Sequence, residues 1–166
     1  NLYGVTKKTN ELMASTYHHL FGISVTGLRF FTVYGPWGRP DMAYYSFTES
    51  ILQGRPIDLY NYGKMQRDFT YIDDIVAGCA SAIDLEAPLK LFNLGNNQPV
   101  PLMHMVAVLE ELLGKRALIN GLPMQQGDVL TTYADIGESS ELLQFQPITK
   151  IEDGLAKFDT WHKAGF

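Results

Sequence analysis

An α/β fold is expected from three observations. Helical and extended patterns alternate along the 166 residues, the arrangement that builds sheets covered by helices. Two segments, Ile23–Tyr34 and Leu89–Leu94, are apolar enough for buried strands. The composition, 46% hydrophobic and 19% charged, belongs to a chain with a packed core. Two such strands cannot cover their own faces and edges, so they are expected to belong to a larger sheet. The sequence also opens without a Met or a lead-in strand, which adds to the expectation of a partial chain.

Residues 4–21 carry Leu12, Met13, Tyr17, Leu20 and Phe21 at helical spacing, with Gly22 as the stop. His18 and His19 stand at the C-terminal end, where an imidazolium favours the helix dipole. Ile23–Tyr34 then reads as a buried strand with a continuation, after which Gly35-Pro36-Trp37-Gly38-Arg39-Pro40 breaks the pattern. Asp41 is the expected N-cap of a helix over 42–53, closed by Gly54 and Pro56. Ile57–Tyr60 is a short strand, 61–64 a turn, and Arg67–Ile72 extended again. Asp73 or Asp74 is expected to cap a helix over 74–85, which Pro88 separates from the strand Leu89–Leu94. Leu102–Leu113 has a strong apolar helical stripe ended by Gly114. A short strand at 117–119, a loop at 122–128, a short helix at 139–143 and an amphipathic helix at 151–162 complete the chain.

A net charge of −5 without a basic run argues against a nucleic-acid binder. The single Cys79 excludes an internal disulfide and a cysteine-based zinc site, and its apolar surroundings suit a small buried side chain. There is no apolar span of about 20 residues, and a reducing, cytoplasmic setting is the default. No metal site is expected, because His18, His19, His104 and His162 lack ligand spacing. No dinucleotide fingerprint, phosphate loop or nucleophile elbow occurs.

The residues that can carry chemistry cluster at strand ends and in loops, where α/β sheets bind ligands. Tyr3 and Lys7 are four apart, so a helix puts phenol and ammonium on one face. The cation stabilises phenolate and makes the pair an acid/base unit, although such spacing is also common on helix surfaces. Thr32 stands near a strand end, as a ligand contact or an ordinary strand threonine. Arg39, in a Gly/Pro-rich loop, suits a phosphate or carboxylate, or is a solvated surface side chain. Arg67 beside Asp68 offers either a second anion contact or an intrachain ion pair, and Asp128 after Gly127 is typical of a turn.

Tyr3-Gly4-Val5-Thr6-Lys7 resembles the Y-x-x-x-K motif of the short-chain dehydrogenase/reductase superfamily. The stretches Leu28–Met42, Tyr60–Ile75, Phe92–Asn96 and Leu122–Val129 look like those of its extended branch, the NAD-dependent epimerase/dehydratase family, and most like the UDP-glucuronate 4-epimerases. The resemblance runs over essentially the whole chain, in order. It implies the C-terminal part of a Rossmann-like NAD-binding fold plus a smaller α/β substrate-binding cap. Residues 1–35 and 68–95 would complete the dinucleotide domain; 36–67 and 96–166 would form the cap.

The same resemblance implies NAD as cofactor and a UDP-sugar as substrate. NAD+ would take a hydride from sugar carbon 4 while the Tyr3 phenolate takes the hydroxyl proton, and hydride would return to the other face of the 4-keto sugar. Lys7 would assist Tyr3 and contact the nicotinamide ribose, with Phe30 against the cofactor end. Thr32 would contact the sugar, Arg39 and Arg67 its anionic groups, Tyr60 the nucleotide and Asp128 the ribose side. Other epimerases or 4,6-dehydratases of the family share these motifs, and an isolated half-chain is alternatively a non-catalytic binding or assembly module. Family dimers pack the helix bearing Tyr3 and Lys7 against a second copy, so a homodimer through 4–21 is expected. The Gly-rich NAD fingerprint is missing from the sequence. Gln125 also stands where related galactose epimerases have an Arg, so that additional phosphate contact is not carried over.

Overall fold

A computed structural model describes residues 2–85 and 87–165. The order is α1 (Leu2–Phe21), β1 (Val25–Phe30), β2 (Thr32–Tyr34), α2 (Ala43–Leu52), β3 (Pro56–Tyr60), a 3-10 turn (Asn61–Gly63), β4 (Gln66–Arg67), β5 (Phe69–Tyr71), α3 (Ile72–Ile83), β6 (Leu89–Leu94), β7 (Val100–Pro101), α4 (Leu102–Leu113), β8 (Leu118–Leu122), α5 (Gly137–Leu142) and α6 (Ile151–Lys163). The architecture is α/β, as expected. β1–β6, β2–β5 and β3–β8 pair in parallel, and β4–β7 is antiparallel.

The strand expected over 23–34 is β1 and its continuation is β2, and the two have different partners. Val25 to Phe30 run opposite Leu89 to Leu94, whereas Thr32 to Tyr34 run opposite Phe69 to Tyr71. The exchange happens at Phe31. Its N–H still donates to the Leu94 carbonyl at 3.2 Å, but the next N–H, of Thr32, donates to Asp68 at 3.1 Å. The short strand expected at 117–119 runs on to Leu122, because β3 offers it a five-residue parallel partner.

Two expected helix caps are corrected. Met42, not Asp41, precedes α2 and makes no capping side-chain bond. Asp41 instead pairs with Arg39 at 3.2 Å. Tyr71 occupies the cap of α3, which places Asp73 and Asp74 in its first turn. There they favour the positive end of the helix dipole, and Asp74 Oδ2 accepts the Thr149 N–H at 3.1 Å. His18 closes α1 by another route: its Nδ1 lies 2.7 Å from the Ile23 carbonyl. Gly114 ends α4 with φ of +64°, the left-handed conformation glycine adopts without strain.

The packing forms two cores. The larger joins Tyr34, Tyr44, Leu59, Phe69, Leu109 and Phe158 from the β2–β5 pair, strand β3 and helices α2, α4 and α6. The smaller joins Ile75, Phe92 and Leu94 with Leu143 and Phe145. Thus α5 and the residues after it pack against β6 and α3. Cys79 sits half-buried beside this smaller core, where burial pushes its thiol up. None of the described residues of α1 is buried, and Leu12, Tyr17, Leu20 and Phe21 are more than half exposed.

Candidate active site

Two cavities hold most of the candidate site residues, one lined by the end of β1 (Phe30) and the other by the start of β2 (Thr32). The first, about 880 Å³, lies between α1 and the β1–β6 pair, and Tyr3, Lys7 and Phe30 all line it. The helix geometry puts Lys7 Nζ over the Tyr3 ring, 5.4 Å from its centroid. Phe30 ends β1 and is 52% exposed, so it offers a ligand an apolar contact. Lys7, Lys8, Arg29 and Lys90 surround this cavity against one carboxylate, Glu11. An anionic ligand therefore meets a positive wall.

The second cavity, about 480 Å³, brings Thr32, Tyr60, Arg67 and Asp128 together from four different parts of the chain. Thr32 comes from β2, Tyr60 from the end of β3, Arg67 from β4 and Asp128 from the loop after β8. Arg67 Nη2 donates to Asp128 Oδ1 at 2.9 Å, and Arg67 Nη1 donates to the carbonyls of Gln66 and Val129, each at 2.9 Å. Such a guanidinium is fixed in direction, and fixed cations recognise anions with little ordering cost. Arg39 lines neither cavity; its partner Asp41 lines the second.

Three features escape a reading of local sequence. Asp68 is fully buried, and its carboxylate accepts the N–H groups of Asn96 (2.6 Å), Asn97 (3.1 Å) and Ala134 (2.8 Å). It thereby locks the turn after β6 and the 134 segment onto the strand that carries Arg67. The loop holding Arg39 is clamped by Tyr44, whose hydroxyl donates to the Gly35 carbonyl at 2.9 Å. Within that loop Trp37 has φ of +62° and packs on Trp161 at 5.4 Å. A bulky residue in this region is strained, and such strain concentrates at functional loops. Glu11 and Arg29 form a bidentate pair, Nε to Oε1 at 2.6 Å and Nη2 to Oε2 at 2.8 Å. The only prior signal was that Glu11 continues the Tyr3, Lys7 spacing by one more helical turn.

Burial pushes the phenols of Tyr34, Tyr44 and Tyr71 above the ordinary tyrosine range. All three belong to the larger core. Among the described residues no group of three or more His, Cys, Asp or Glu is placed to hold a metal ion. Nor is any helix among them long and apolar enough to cross a membrane.

Comparison with known proteins adds an independent result. The model of the NAD dependent epimerase/dehydratase family matches residues 1–95. An uncharacterized protein of Methanocaldococcus jannaschii is 54% identical over 161 residues, covering 97% of this chain and 49% of that protein. UDP-glucuronate 4-epimerase 3 of Arabidopsis thaliana is 47% identical, covering 98% of this chain and 42% of its own. Among solved structures, UDP-glucuronic acid 4-epimerase from Bacillus cereus, in complex with UDP-glucuronic acid and NAD, superposes with a TM-score of 0.92 at 36% identity, over 99% of this chain and 53% of that one. The chain spans about half the length of the curated relatives it matches.

Proposed function

The chain belongs to the NAD dependent epimerase/dehydratase family, and on that premise we propose that the protein is a UDP-glucuronate 4-epimerase in which these residues supply the acid/base pair and much of the sugar-nucleotide site. The family is NAD-dependent. The observation that carries the reading is the meeting of Tyr3, Lys7 and Phe30 at one cavity, with Thr32, Tyr60, Arg67 and Asp128 at the next. Phe30 lines the first cavity and Thr32, two residues further on, lines the second; on this reading the sugar nucleotide spans the two.

The residues of the first cavity fit the nicotinamide-ribose end of the dinucleotide. Lys7 offers an ammonium to ribose hydroxyls, Phe30 an exposed apolar ring, and the surrounding cations a positive wall. The adenosine and diphosphate ends would be held by residues outside these 166, since no Gly-rich phosphate loop occurs among them. On this reading the isolated chain is inactive. When bound, NAD supplies a reversible hydride acceptor for sugar carbon 4. Tyr3, as phenolate, takes the proton of the 4-hydroxyl and returns it at the end of the cycle, and the Lys7 charge favours that phenolate. Thr32 contacts the sugar, Arg67 the diphosphate, Tyr60 the nucleotide and Asp128 its ribose. Arg39, exposed and paired with Asp41, which lines the second cavity, supplies a cation to an anionic group of the sugar nucleotide.

The division into a dinucleotide part (1–35 and 68–95) and a cap (36–67 and 96–166) is part of the same proposal. So is a homodimer through the exposed apolar residues of α1, and so is a cytoplasmic setting. The test is to incubate the full-length protein with UDP-glucuronate and resolve the products by chromatography. Formation of UDP-galacturonate without net reduction of NAD is expected; its absence would overturn the assignment.

A further inference from the structure

Tyr3, Lys7 and Glu11 follow one another at four-residue intervals, so they share one face of α1. Glu11 is the only carboxylate among the described residues lining the first cavity. One turn from Lys7, it is within ordinary reach of the ammonium that Tyr3 needs. The structure holds it elsewhere. Arg29 Nε takes Glu11 Oε1 at 2.6 Å and Nη2 takes Oε2 at 2.8 Å, while Lys8 also reaches Oε2 at 2.9 Å. None of the ion pairs among the described residues includes Lys7, whose contact is the Tyr3 ring at 5.4 Å.

We propose that Arg29 is a positioning residue: it sequesters Glu11 away from Lys7 and so leaves the Lys7 ammonium unneutralised beside Tyr3. This deepens, and rests on, the reading of Tyr3 as the acid/base group. Bidentate pairing is the geometry that fixes a carboxylate in direction as well as distance. The same pair ties α1, which has no buried residue of its own among those described, to the end of β1 next to Phe30. Arg29 therefore sets both the charge beside Tyr3 and the position of its helix relative to the cofactor side. The hydrogen bond from Arg29, then that from Lys8, holds the Glu11 carboxyl down to about 2, so it stays anionic and bound at working pH. The other charged groups facing this cavity are Lys8 on α1 and Lys90 on β6, and Lys90 is taken up by Glu138 at 2.5 Å. Loss of Arg29 would strip Oε1 of its cation with Lys7 the next one along the helix face.

The experiment uses the full-length protein and the variants R29Q, R29K and E11Q/R29Q, assayed with UDP-glucuronate across pH. In R29Q the freed Glu11 neutralises Lys7, so the acidic limb of the rate profile moves up by roughly half to one pH unit. At neutral pH kcat falls about three- to tenfold while KM stays within about twofold, since the sugar contacts are untouched. The double variant E11Q/R29Q returns the limb to its original position, and R29K, which still pairs with Glu11, keeps it there. A purely structural role predicts the opposite order, with the double variant at least as impaired as R29Q. An unmoved limb in R29Q, or an equally displaced limb in the double variant, overturns the proposal. The phenolate absorbance of Tyr3, assigned by subtracting that of Y3F, is titrated in the same proteins and needs no turnover. If the unmodified protein fails to convert UDP-glucuronate, the epimerase reading falls, and this titration alone decides whether Arg29 keeps Glu11 from Lys7.

Discussion

Arg67 and Asp128 are joined by a 2.9 Å ion pair across 61 residues of chain. The same guanidinium bonds the carbonyls of Gln66 and Val129. One side chain thus pins the loop after β8 to β4 while lining the second cavity. Replacing Arg67 by Met removes several charge-assisted bonds at once. We expect KM for the UDP-sugar to rise roughly 10- to 100-fold, with kcat changed less than about threefold. Asp128→Asn keeps the shape and one acceptor, so its effect should be smaller. Steady-state kinetics of the full-length variants check this; an unchanged KM in R67M would remove Arg67 from the substrate site.

Tyr3 is 70% exposed, so its hydroxyl contributes little to folding. Tyr3→Phe should lower kcat by roughly 10²- to 10⁴-fold, the usual range for a lost general acid/base. Its thermal midpoint should match that of the unmodified protein. A variant that keeps most of its turnover would assign proton transfer to another group.

Asp68 is a buried carboxylate whose charge is met by three backbone N–H groups. Asp68→Asn aims an amide N–H₂ at some of those donors and leaves them unsatisfied. A loss of about 2–4 kcal/mol in denaturant unfolding is expected. Hydrogen exchange should quicken first at Asn96, Asn97 and Ala134. Uniform acceleration across the chain would mean that Asp68 does not act through these contacts.

A Cβ at Gly38 would stand 1.6 Å from the Tyr44 hydroxyl oxygen. Tyr44 is buried and cannot retreat, so Gly38→Ala must break the Tyr44–Gly35 bond or displace the Arg39 loop. A cost of about 1–3 kcal/mol is expected. Adding Tyr44→Phe removes the nearest clashing atom and should recover part of it. No recovery in the double variant would show that the loop, not the ring, yields.

The Glu11 carboxyl is held at about 2 against an ordinary 4.5, first by the Arg29 hydrogen bond and then by Lys8. Its folded value is depressed, so the attachment of α1 to β1 is complete above pH 4.5 and is lost as pH falls towards 2. Hydrogen exchange of α1 amides should therefore quicken over that window, before the cores containing Phe158 and Phe92 respond. Glu11→Gln should abolish the early phase. Simultaneous loss of α1 and the cores would count against a tether at Glu11.

Local chemistry determined much of this protein from the sequence. The apolar stripe of 102–113 with Gly114 behind it specified α4 to the residue, because a helix boundary is set by neighbours within one turn. Tyr3 and Lys7 share a face for the same reason, and the motifs around them were enough to point to the family that 1–95 matches. What needed the tertiary structure was every relationship between distant segments. The break at Phe31 depends on Leu94 and Asp68, which lie in other strands. Asp41 and Asp74 have the side chains of N-caps, but each found a partner elsewhere, in Arg39 and in the Thr149 N–H. The pairing of Arg29 with Glu11, and of Arg67 with Asp128, is likewise invisible to spacing. A charged side chain takes whichever partner the packed backbone brings within about 3 Å, and only the folded chain decides which one that is.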